Sequence, residues 1–323
     1  MSVQITIIGL GKIGASIGLA LDGQENLIRI GHDKDMSSAR KAQKMGAVDK
    51  VHRNLPHSVK NSDIVILSLP FSEIYETMEY IKEDLKDDAV ILDTAPSKLA
   101  TSEKMQEILP AGRAYIGLAP VINPFYLDDR GGGVDAARAD LFNKGITLIA
   151  APPTASGAVI QLAADLVQLF GSNPLFADIA EVDGVMATAY LLPQLISVAL
   201  LNATVDTSGW EETRKCAGQE YADTTASSPT QEGVASLSSA SLLNASNVSR
   251  VLGEMIASLQ NIQQSIVDGD ESALNETLSL AEKGRENWLI ERKAAEWLLR
   301  GEKADAVKLG GIAERFFGFK ERK

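Results

Sequence analysis

The stretch Ile5-Thr-Ile-Ile-Gly-Leu-Gly-Lys-Ile-Gly-Ala-Ser-Ile-Gly18 carries the strongest structural signal of the chain. Its apolar beginning is typical of a buried strand that ends at Ile8, and the residues after the glycines are typical of a helix. Gly9 supplies the sharp turn between the two, Gly11 lets the backbone approach a pyrophosphate, and Gly14 lets the helix pack closely on the strand. The spacing therefore predicts a dinucleotide-binding turn, with the dipole of the helix directed at the phosphates.

A carboxylate at Asp33 ends the next apolar stretch and supports this interpretation. At that place a carboxylate accepts hydrogen bonds from the adenosine ribose and repels a 2′-phosphate, so the sequence favours NAD over NADP, with Lys34 moderating the preference. The alternative, a glycine-rich turn without a ligand, is disfavoured because strand, helix and acid agree. The residues predicted to bind NAD are Gly9, Leu10, Gly11, Lys12, Ile13, Gly14, Asp33, Ser68, Leu69, Pro70, Asp93 and Thr94.

The composition narrows the class of protein. The chain has 323 residues, of which 45% are hydrophobic, so it can bury a large core and its length favours two domains. A net charge of -12 without a basic stripe argues against a nucleic-acid partner. The single cysteine, Cys216, excludes an internal disulfide, the amino terminus lacks a signal-type leader, and we expect no apolar run as long as a membrane span. The sequence predicts a cytoplasmic protein without a membrane partner.

Short apolar runs alternate with helical patterns in the first half of the chain. The predicted strands are 3–8, 27–30, 63–69, 89–92, 114–117, 145–150 and 173–177. The predicted helices between them are 36–45, 72–85, 97–109 and 154–170. This alternation is typical of parallel βαβ units. We therefore predict an α/β protein in which a Rossmann-type, doubly wound, mainly parallel sheet occupies residues 1–178 and an all-α domain occupies residues 179–323.

Three segments outside this alternation carry further predictions. Residues 182–205 are apolar on almost every face, which indicates a helix in a domain core or a subunit interface. Residues 118–138, which contain three consecutive glycines, are expected to form a mobile loop over a cleft. Residues 310–323 combine phenylalanines with basic side chains, and we interpret them as a docked carboxy-terminal tail rather than a membrane-surface segment.

The order and spacing of several motifs resemble those of the prephenate/arogenate dehydrogenase family over nearly the whole chain. The motifs that carry the resemblance are Gly9-Leu-Gly-Lys-Ile-Gly-Ala-Ser-Ile-Gly-Leu-Ala-Leu21, His32-Asp33, Gly46-Ala-Val-Asp49, Ser62-Asp-Ile-Val-Ile-Leu-Ser-Leu-Pro70, Ile91-Leu-Asp93 with Lys98, Ala137-Arg-Ala-Asp-Leu-Phe142 and Leu191-Leu-Pro193. The resemblance implies a Rossmann domain that binds NAD, a helical dimerisation domain, and a substrate site in the cleft between them.

The resemblance also implies three polar groups that this sequence replaces. The family's histidine, which polarises the substrate hydroxyl, corresponds to Ala119. The family's serine corresponds to Pro96, with Ser97 one residue further on, and the arginine that binds a substrate carboxylate corresponds to Ala226. A second histidine of the family corresponds to Gln194. All 3 histidines of the chain precede residue 58, so none is left to act at these positions.

Lys98 is the first candidate to act in place of the missing histidine. It stands at the start of a predicted helix just past Asp93, at the nicotinamide end of the expected cleft, where a partly desolvated ammonium can bind a carboxylate or transfer a proton. The alternative is a surface lysine, and both interpretations stay open at this point. Ser97, next to the family's serine position, and Asn123, in the loop over the cleft, complete the predicted catalytic set.

Other ionisable residues of the expected cleft have less defined roles. Arg130 or Arg138 either replaces the family's carboxylate-binding arginine or is a solvated loop charge. Glu181 and Asp183 begin the first helix of the second domain and are expected to face the cleft. No set of histidines, cysteines or carboxylates has the spacing of metal ligands, so no metal is predicted.

Together these observations predict an NAD-dependent oxidoreductase that transfers a hydride between NAD and a small carboxylated alcohol, with a substrate diverged from prephenate. Two alternatives remain open: a slow but genuine prephenate/arogenate dehydrogenase of tyrosine biosynthesis, and a non-catalytic NAD-binding sensor or regulatory protein. The expected partners are a small carboxylate substrate and a second copy of the chain, which makes a homodimer through the carboxy-terminal helices.

Overall fold

The computed structural model describes residues 2–228 and 233–295. The strands are β1 (Val3–Ile8), β2 (Leu27–His32), β3 (Lys50–Val51), β4 (Ile64–Leu67), β5 (Val90–Asp93), β6 (Ala114–Pro120), β7 (Ile146–Ala150) and β8 (Asn173–Ala177). The helices are α1 (Lys12–Ala20), α2 (Met36–Lys44), α3 (Leu55–Val59), α4 (Phe71–Ile81), α5 (Leu99–Ile108), α6 (Gly157–Leu169), α7 (Ile179–Met186), α8 (Leu192–Thr204), α9 (Trp210–Cys216), α10 (Gln219–Thr225), α11 (Gly233–Leu243), α12 (Ala245–Asp268) and α13 (Glu271–Ala294). The tail predicted at residues 310–323 lies outside the described residues.

Strands β1 to β8 form one sheet in the order β3-β2-β1-β4-β5-β6-β7-β8. Neighbouring strands pair in parallel, except that β6 and β7 are antiparallel. The chain winds outward from β1 in both directions, so the predicted fold class is confirmed. β3 has only two residues and no apolar pattern of its own, and it was absent from the predicted strands. β6 continues to Pro120, so the loop predicted to begin at residue 118 starts after that strand.

Helices bury both faces of the sheet, which explains why its strands are apolar at consecutive positions. In β1, Ile7 packs into the core beneath α1 and α6, whereas Ile8 packs into the core beneath α4 and α5. Ile66 and Leu67 of β4 divide between the two cores in the same way. Strands that are fixed from both sides hold the positions of the loops at their carboxyl ends, where the candidate site lies.

The helical part of the chain begins with one continuous apolar helix, Ile179–Thr204. It consists of α7, a π-helical turn over Ala187–Leu191, and α8. By length and composition this helix is long and apolar enough to cross a membrane, which corrects the expectation that no apolar run reaches that length. Only 17% of the most apolar 18-residue segment of this helix is buried in the single chain, so the exposed apolar surface of the helix is open to a partner.

α12 and α13, each of 24 residues, form a long helical hairpin. The connection uses Gly269 in the left-handed conformation at φ 67°, and the Asp270 carboxylate caps α13 by accepting a hydrogen bond from the Ala273 N–H at 2.9 Å. Several large apolar side chains of the hairpin are exposed: Ile256, Leu259, Ile266, Val267, Leu278, Leu280, Trp288 and Ile290. The hairpin therefore adds to the apolar surface that the single chain leaves uncovered.

Candidate functional site

A cavity of about 360 Å³ opens at the carboxyl ends of β1 and β4, where the winding of the sheet reverses and the loops diverge. The predicted NAD-binding residues that line it are Gly9, Gly11, Lys12, Ile13, Asp33, Ser68, Leu69, Pro70 and Thr94. Leu10, Gly14 and Asp93 do not line the cavity, but each supports a residue that does.

The three glycines of the first turn have different surroundings. Gly9 adopts the left-handed conformation at φ +89°, and a Cβ there would lie 2.1 Å from the carbonyl oxygen of Ser68. A Cβ on Gly14 would lie 2.0 Å from the carbonyl oxygen of Gly9, so helix and turn are in direct contact. A Cβ on Gly11 would meet no heavy atom of the described residues within 4 Å. Since Gly11 also lines the cavity, the space in front of it is open to a pyrophosphate, and a side chain would fill it.

The beginning of α1 suits an anionic ligand. Gly11 is the N-cap residue, so no side chain caps the helix, and the first turn contains no acidic residue. The first N–H groups are therefore available to a ligand, and the positive end of the helix dipole is directed at the cavity. Open space and available donors at the same point fit the diphosphate of a dinucleotide.

The Asp33 carboxylate lines the cavity just after the end of β2. One of its oxygens accepts a hydrogen bond from the Leu10 N–H at 2.8 Å, and the other accepts one from the Asp35 N–H at 2.8 Å. Leu10 is fully buried and thus acts through its backbone. These two donors fix the carboxylate while leaving it half-exposed at the cavity, where it can accept hydrogen bonds from a ribose.

Lys12 connects the first turn to the loop after β6. Its ammonium donates hydrogen bonds to the carbonyl oxygens of Asp129 at 3.2 Å and Gly131 at 3.1 Å, and it lies 3.9 Å from the Asp129 carboxylate. Gly133 of the same loop lines the cavity. The loop therefore lies over the cavity, as the sequence predicted, while its mobility stays a prediction.

A further part of the cavity lining comes from α3 and α4, and the sequence prediction missed it. Leu55, Glu73 and Thr77 line the cavity here, and Glu73 forms an ion pair with Lys34. Glu73 and Thr77 are four residues apart on α4, so they share one face of the helix. Their only signal in the sequence is that this helix begins directly after the predicted Pro70 contact.

Lys98 lies inside the protein rather than in the cavity. Its side chain is 0% exposed, which excludes the alternative of a surface lysine. The ammonium donates to the Asp93 carbonyl oxygen at 2.8 Å and to the Asp93 carboxylate at 3.0 Å, and the Tyr115 hydroxyl donates to the same carboxylate at 3.0 Å. Burial lowers the pKa of Lys98 below 10.5 against the opposing attraction of Asp93, and burial raises the pKa of Tyr115 well above 10.0.

Asp183 joins the helical part of the chain to this buried group. Its carboxylate accepts hydrogen bonds from the N–H groups of Lys98 at 2.6 Å and Leu99 at 3.1 Å, which satisfies the first donors of α5. Asp183 is 3% exposed, so it does not face an open cleft as the sequence predicted. Burial raises its pKa, and the two N–H donors oppose that shift. Its carboxylate is therefore a buried contact between α7 and the sheet domain.

Ala119, which the resemblance aligns with the family's histidine, is closed off by apolar side chains. It is 2% exposed and belongs to a cluster with Leu148, Ala150, Ile179 and Val182. The last two residues come from α7, so the cluster forms part of the contact between the sheet and the helices.

The other predicted catalytic residues also lie outside the cavity. Ser97 is 0% exposed, and its hydroxyl has no hydrogen-bond partner among the described residues. The Asn123 side chain accepts from the Phe125 N–H at 3.1 Å and donates to the Asp140 carbonyl oxygen at 3.2 Å. Asn123 therefore organises the loop after β6.

The two arginines considered as a carboxylate clamp have partners within the protein. Arg130 lies 4.0 Å from the Asp223 carboxylate of α10, and the Arg138 side chain donates to the carbonyl oxygens of Asp135 and Ala137. Both are at least partly exposed. Residues 2–228 and 233–295 contain no group of three or more histidines, cysteines or carboxylates that could hold a metal.

A Rossmann-type sheet whose glycine turn, helix start and ribose-side carboxylate meet at one crevice defines a dinucleotide-dependent oxidoreductase. The chain belongs to the prephenate dehydrogenase family. Residues 17–173 match the family model "Prephenate dehydrogenase, nucleotide-binding domain", and residues 178–280 match "Prephenate dehydrogenase, dimerization domain".

Individual relatives agree with this assignment. The cyclohexadienyl dehydrogenase of Zymomonas mobilis subsp. mobilis is 24% identical over 286 residues, which are 87% of this chain and 94% of the relative. The prephenate dehydrogenase of Lactococcus lactis subsp. cremoris is 33% identical over 143 residues, which are 43% of this chain and 38% of the relative. The structure of prephenate dehydrogenase from A. aeolicus in complex with hydroxyphenyl propionate and NAD+ has a TM-score of 0.77 at 20% identity, covering 89% of this chain and 99% of that chain.

Proposed function

We propose that the protein is an NAD-dependent dehydrogenase of a small carboxylated alcohol, or of the corresponding carbonyl compound, whose substrate has diverged from prephenate. One pair of observations supports the proposal: a cavity is lined by most of the predicted NAD-binding residues, whereas Ala119, which the resemblance aligns with the family's histidine, is closed by apolar packing. Family membership supports the hydride chemistry, and the replaced histidine position supports the change of substrate.

Different residues bind three parts of NAD: the diphosphate, the adenosine ribose and the nicotinamide end. The N–H groups at the beginning of α1 hold the diphosphate in the space before Gly11, and the Asp33 carboxylate accepts the ribose hydroxyls. Thr94 and Ala95 line the cavity just after β5, where the nicotinamide end is expected. Bound there, NAD supplies the hydride acceptor. Asp93 orients this end, because its carboxylate accepts a hydrogen bond from the Ala95 N–H at 2.8 Å.

The proton of the substrate hydroxyl needs an acceptor other than the family's histidine. The catalytic roles of Lys98, Ser97 and Asn123 stay predictions, and the geometry favours a positioning role for Lys98 because its ammonium is committed to Asp93. Loss of a well-placed general base costs about 10²–10⁴-fold in rate. Slow turnover of prephenate or arogenate is therefore the second candidate function.

The assembly proposed for the enzyme is a homodimer in the cytoplasm. An apolar groove of about 540 Å³ lies between α8 and α11, and it is lined by Leu195, Val198, Leu201, Leu237 and Leu242 among others. The apolar helix Ile179–Thr204 and the exposed side chains of α12 and α13 extend this surface. A second copy of the chain, joined through the domain that the family model describes as a dimerization domain, covers this surface from water.

The test is a two-stage measurement on the purified protein. Thermal stability with NAD, NADP and no nucleotide comes first, followed by NADH production with 2-hydroxy acids, 3-hydroxy acids, prephenate and arogenate. We expect NAD to raise the melting temperature and a hydroxy acid to exceed prephenate in turnover. Dominant turnover of prephenate or arogenate would establish the second candidate instead. NAD binding without turnover on the whole panel would contradict both and favour a sensor.

A further inference from the structure

Three charged side chains line the cavity beside His32, on the side proposed for adenosine: Asp33, Lys34 and Glu73. Asp33 and Lys34 follow β2, whereas Glu73 lies in the first turn of α4. Such a cluster decides which substituent the cavity accepts at the ribose 2′ position, because a 2′-phosphate adds negative charge and a 2′-hydroxyl does not.

The Lys34 ammonium is the one cation of this cluster, and the Glu73 carboxylate holds it. The two groups are close enough for a hydrogen bond, although they come from elements 39 residues apart in sequence. The Lys34 side chain is 75% exposed and the Glu73 side chain 33%, so the lysine is free to reorient if its partner is removed. Glu73 therefore cancels the charge that a 2′-phosphate would otherwise find next to Asp33.

We propose that Glu73 is a second determinant of NAD over NADP specificity, acting through Lys34. With Glu73 in place, the cluster carries one net negative charge and its lysine is occupied. Without the Glu73 charge, Lys34 can turn toward a 2′-phosphate and offset the repulsion from Asp33. The inference rests on the proposed NAD site and assigns a residue outside the glycine turn to its selectivity.

Glu73 also has an ordinary structural reason to be there. A carboxylate in the first turn of a helix interacts favourably with the helix dipole, and α4 has no side-chain cap. The interaction with the helix dipole and the proposed effect on cofactor specificity both depend on the charge of the Glu73 carboxylate. The test therefore needs a measurement that the interaction with the dipole does not affect. That measurement is the ratio of NADP affinity to NAD affinity, because a general weakening of α4 lowers both.

The experiment measures the dissociation constants of NAD and NADP by calorimetry for the unaltered protein, E73Q, the double variant E73Q/K34Q, and the control E76Q. Glutamine keeps the size of the side chain and removes only its charge. Glu76 lies on the same helix, is exposed and does not line the cavity. Since exposed ion pairs are worth little, we expect E73Q to bind NADP about 3- to 10-fold more tightly, with NAD affinity nearly unchanged.

The double variant and the control decide the mechanism. E73Q/K34Q should lose the gain, because Lys34 provides it, and E76Q should leave the ratio unchanged. Added salt should shrink the E73Q effect. An unchanged ratio in E73Q, or an equal shift in E76Q, overturns the inference. If the unaltered protein binds neither nucleotide, the proposed function fails as well, so the two failures are distinguishable.

Discussion

Replacement of Gly11 with serine tests whether the space before α1 is a phosphate site. Gly11 has φ −77° and ψ −160°, an extended conformation that any residue adopts, and its added Cβ meets no described heavy atom within 4 Å. Serine is also a favourable N-cap residue, because its hydroxyl accepts a hydrogen bond from the first turn. The variant should therefore fold well while placing a side chain where the diphosphate binds.

The expected changes in stability and in NAD affinity have opposite signs, so the variant separates an effect on folding from an effect on binding. Replacing a glycine at a compatible backbone position stabilises the protein by about 0.4–1 kcal/mol, because the unfolded chain loses conformational entropy. As an N-cap residue, serine adds a few tenths of a kcal/mol. The apo variant should therefore melt at the same temperature or roughly 1–4 °C higher. The serine hydroxyl competes for the N–H groups at the beginning of α1, which otherwise donate charge-assisted hydrogen bonds of about 1.5 kcal/mol each to the diphosphate. Loss of two of these hydrogen bonds should weaken NAD binding about 100-fold.

Thermal melting with and without NAD measures both effects in one assay. At a concentration about 100 times the dissociation constant, NAD stabilises the unaltered protein by about 2.7 kcal/mol, whereas a 100-fold weaker variant keeps only about 0.4 kcal/mol. Gly14→Ala is the contrasting variant, since its Cβ would lie 2.0 Å from the Gly9 carbonyl oxygen and should lower apo stability by about 1–3 kcal/mol. An equal NAD-induced shift in Gly11→Ser and the unaltered protein would refute the phosphate assignment.

Three further predictions concern the core, the family site and the assembly. Lys98→Met leaves the buried Asp93 carboxylate without its cation, so denaturant titration should show a free energy of unfolding lower by roughly 3–5 kcal/mol. Burial lowers the pKa of Lys98 in the folded protein, so the unfolded chain binds more protons at this residue, and the difference in stability between the unaltered protein and the methionine variant should grow as the pH increases toward 10.5. Ala119→His inserts a larger polar group into a closed apolar cluster, so we expect the free energy of unfolding to fall by about 1–3 kcal/mol. The variant should turn over prephenate no faster than the unaltered protein, and faster turnover would contradict the closed geometry. Leu242→Lys places a charge in the apolar groove and should give monomers by light scattering, whereas the control Tyr80→Lys, at an exposed side chain of α4, should stay dimeric.

The sheet and the glycine turn could be predicted because their signals are local. The spacing of Gly9 and Gly14 between an apolar strand and a helix identified the turn, and Asp33 follows the next strand of the same unit, although the atom that a Cβ on Gly9 would meet belongs to Ser68 after β4. Strand β3 escaped prediction because two residues carry no periodicity. The apolar pattern of Ile179–Thr204 indicated a covered helix, but only the structure shows that most of the cover must come from outside the single chain.

The environment of a charged side chain depends on distant packing and could not be predicted. Lys98 is surrounded by Asp93, Tyr115 and Asp183, which come from two strands and from a helix 85 residues away in sequence. From sequence, its place after β5 indicated a cleft residue equally well. Glu73 illustrates the same limit, since its partner Lys34 comes from another element, 39 residues away in sequence. Residues that act through another element need the tertiary structure to be found.

The surroundings of Ala119 explain why the return of one histidine should not restore the family's chemistry. Ala119 packs in the cluster that includes Ile179 and Val182 of α7, and the next residue, Asp183, accepts the Lys98 N–H at 2.6 Å. Successive residues of α7 are therefore held by apolar packing and by a buried hydrogen bond. The helix cannot move aside for an imidazole without loss of that bond, which costs about 1–3 kcal/mol for each buried group left unpaired. Ala119 is thus part of the contact between the sheet and the helices, and we expect that a histidine at this position would require that whole contact to change.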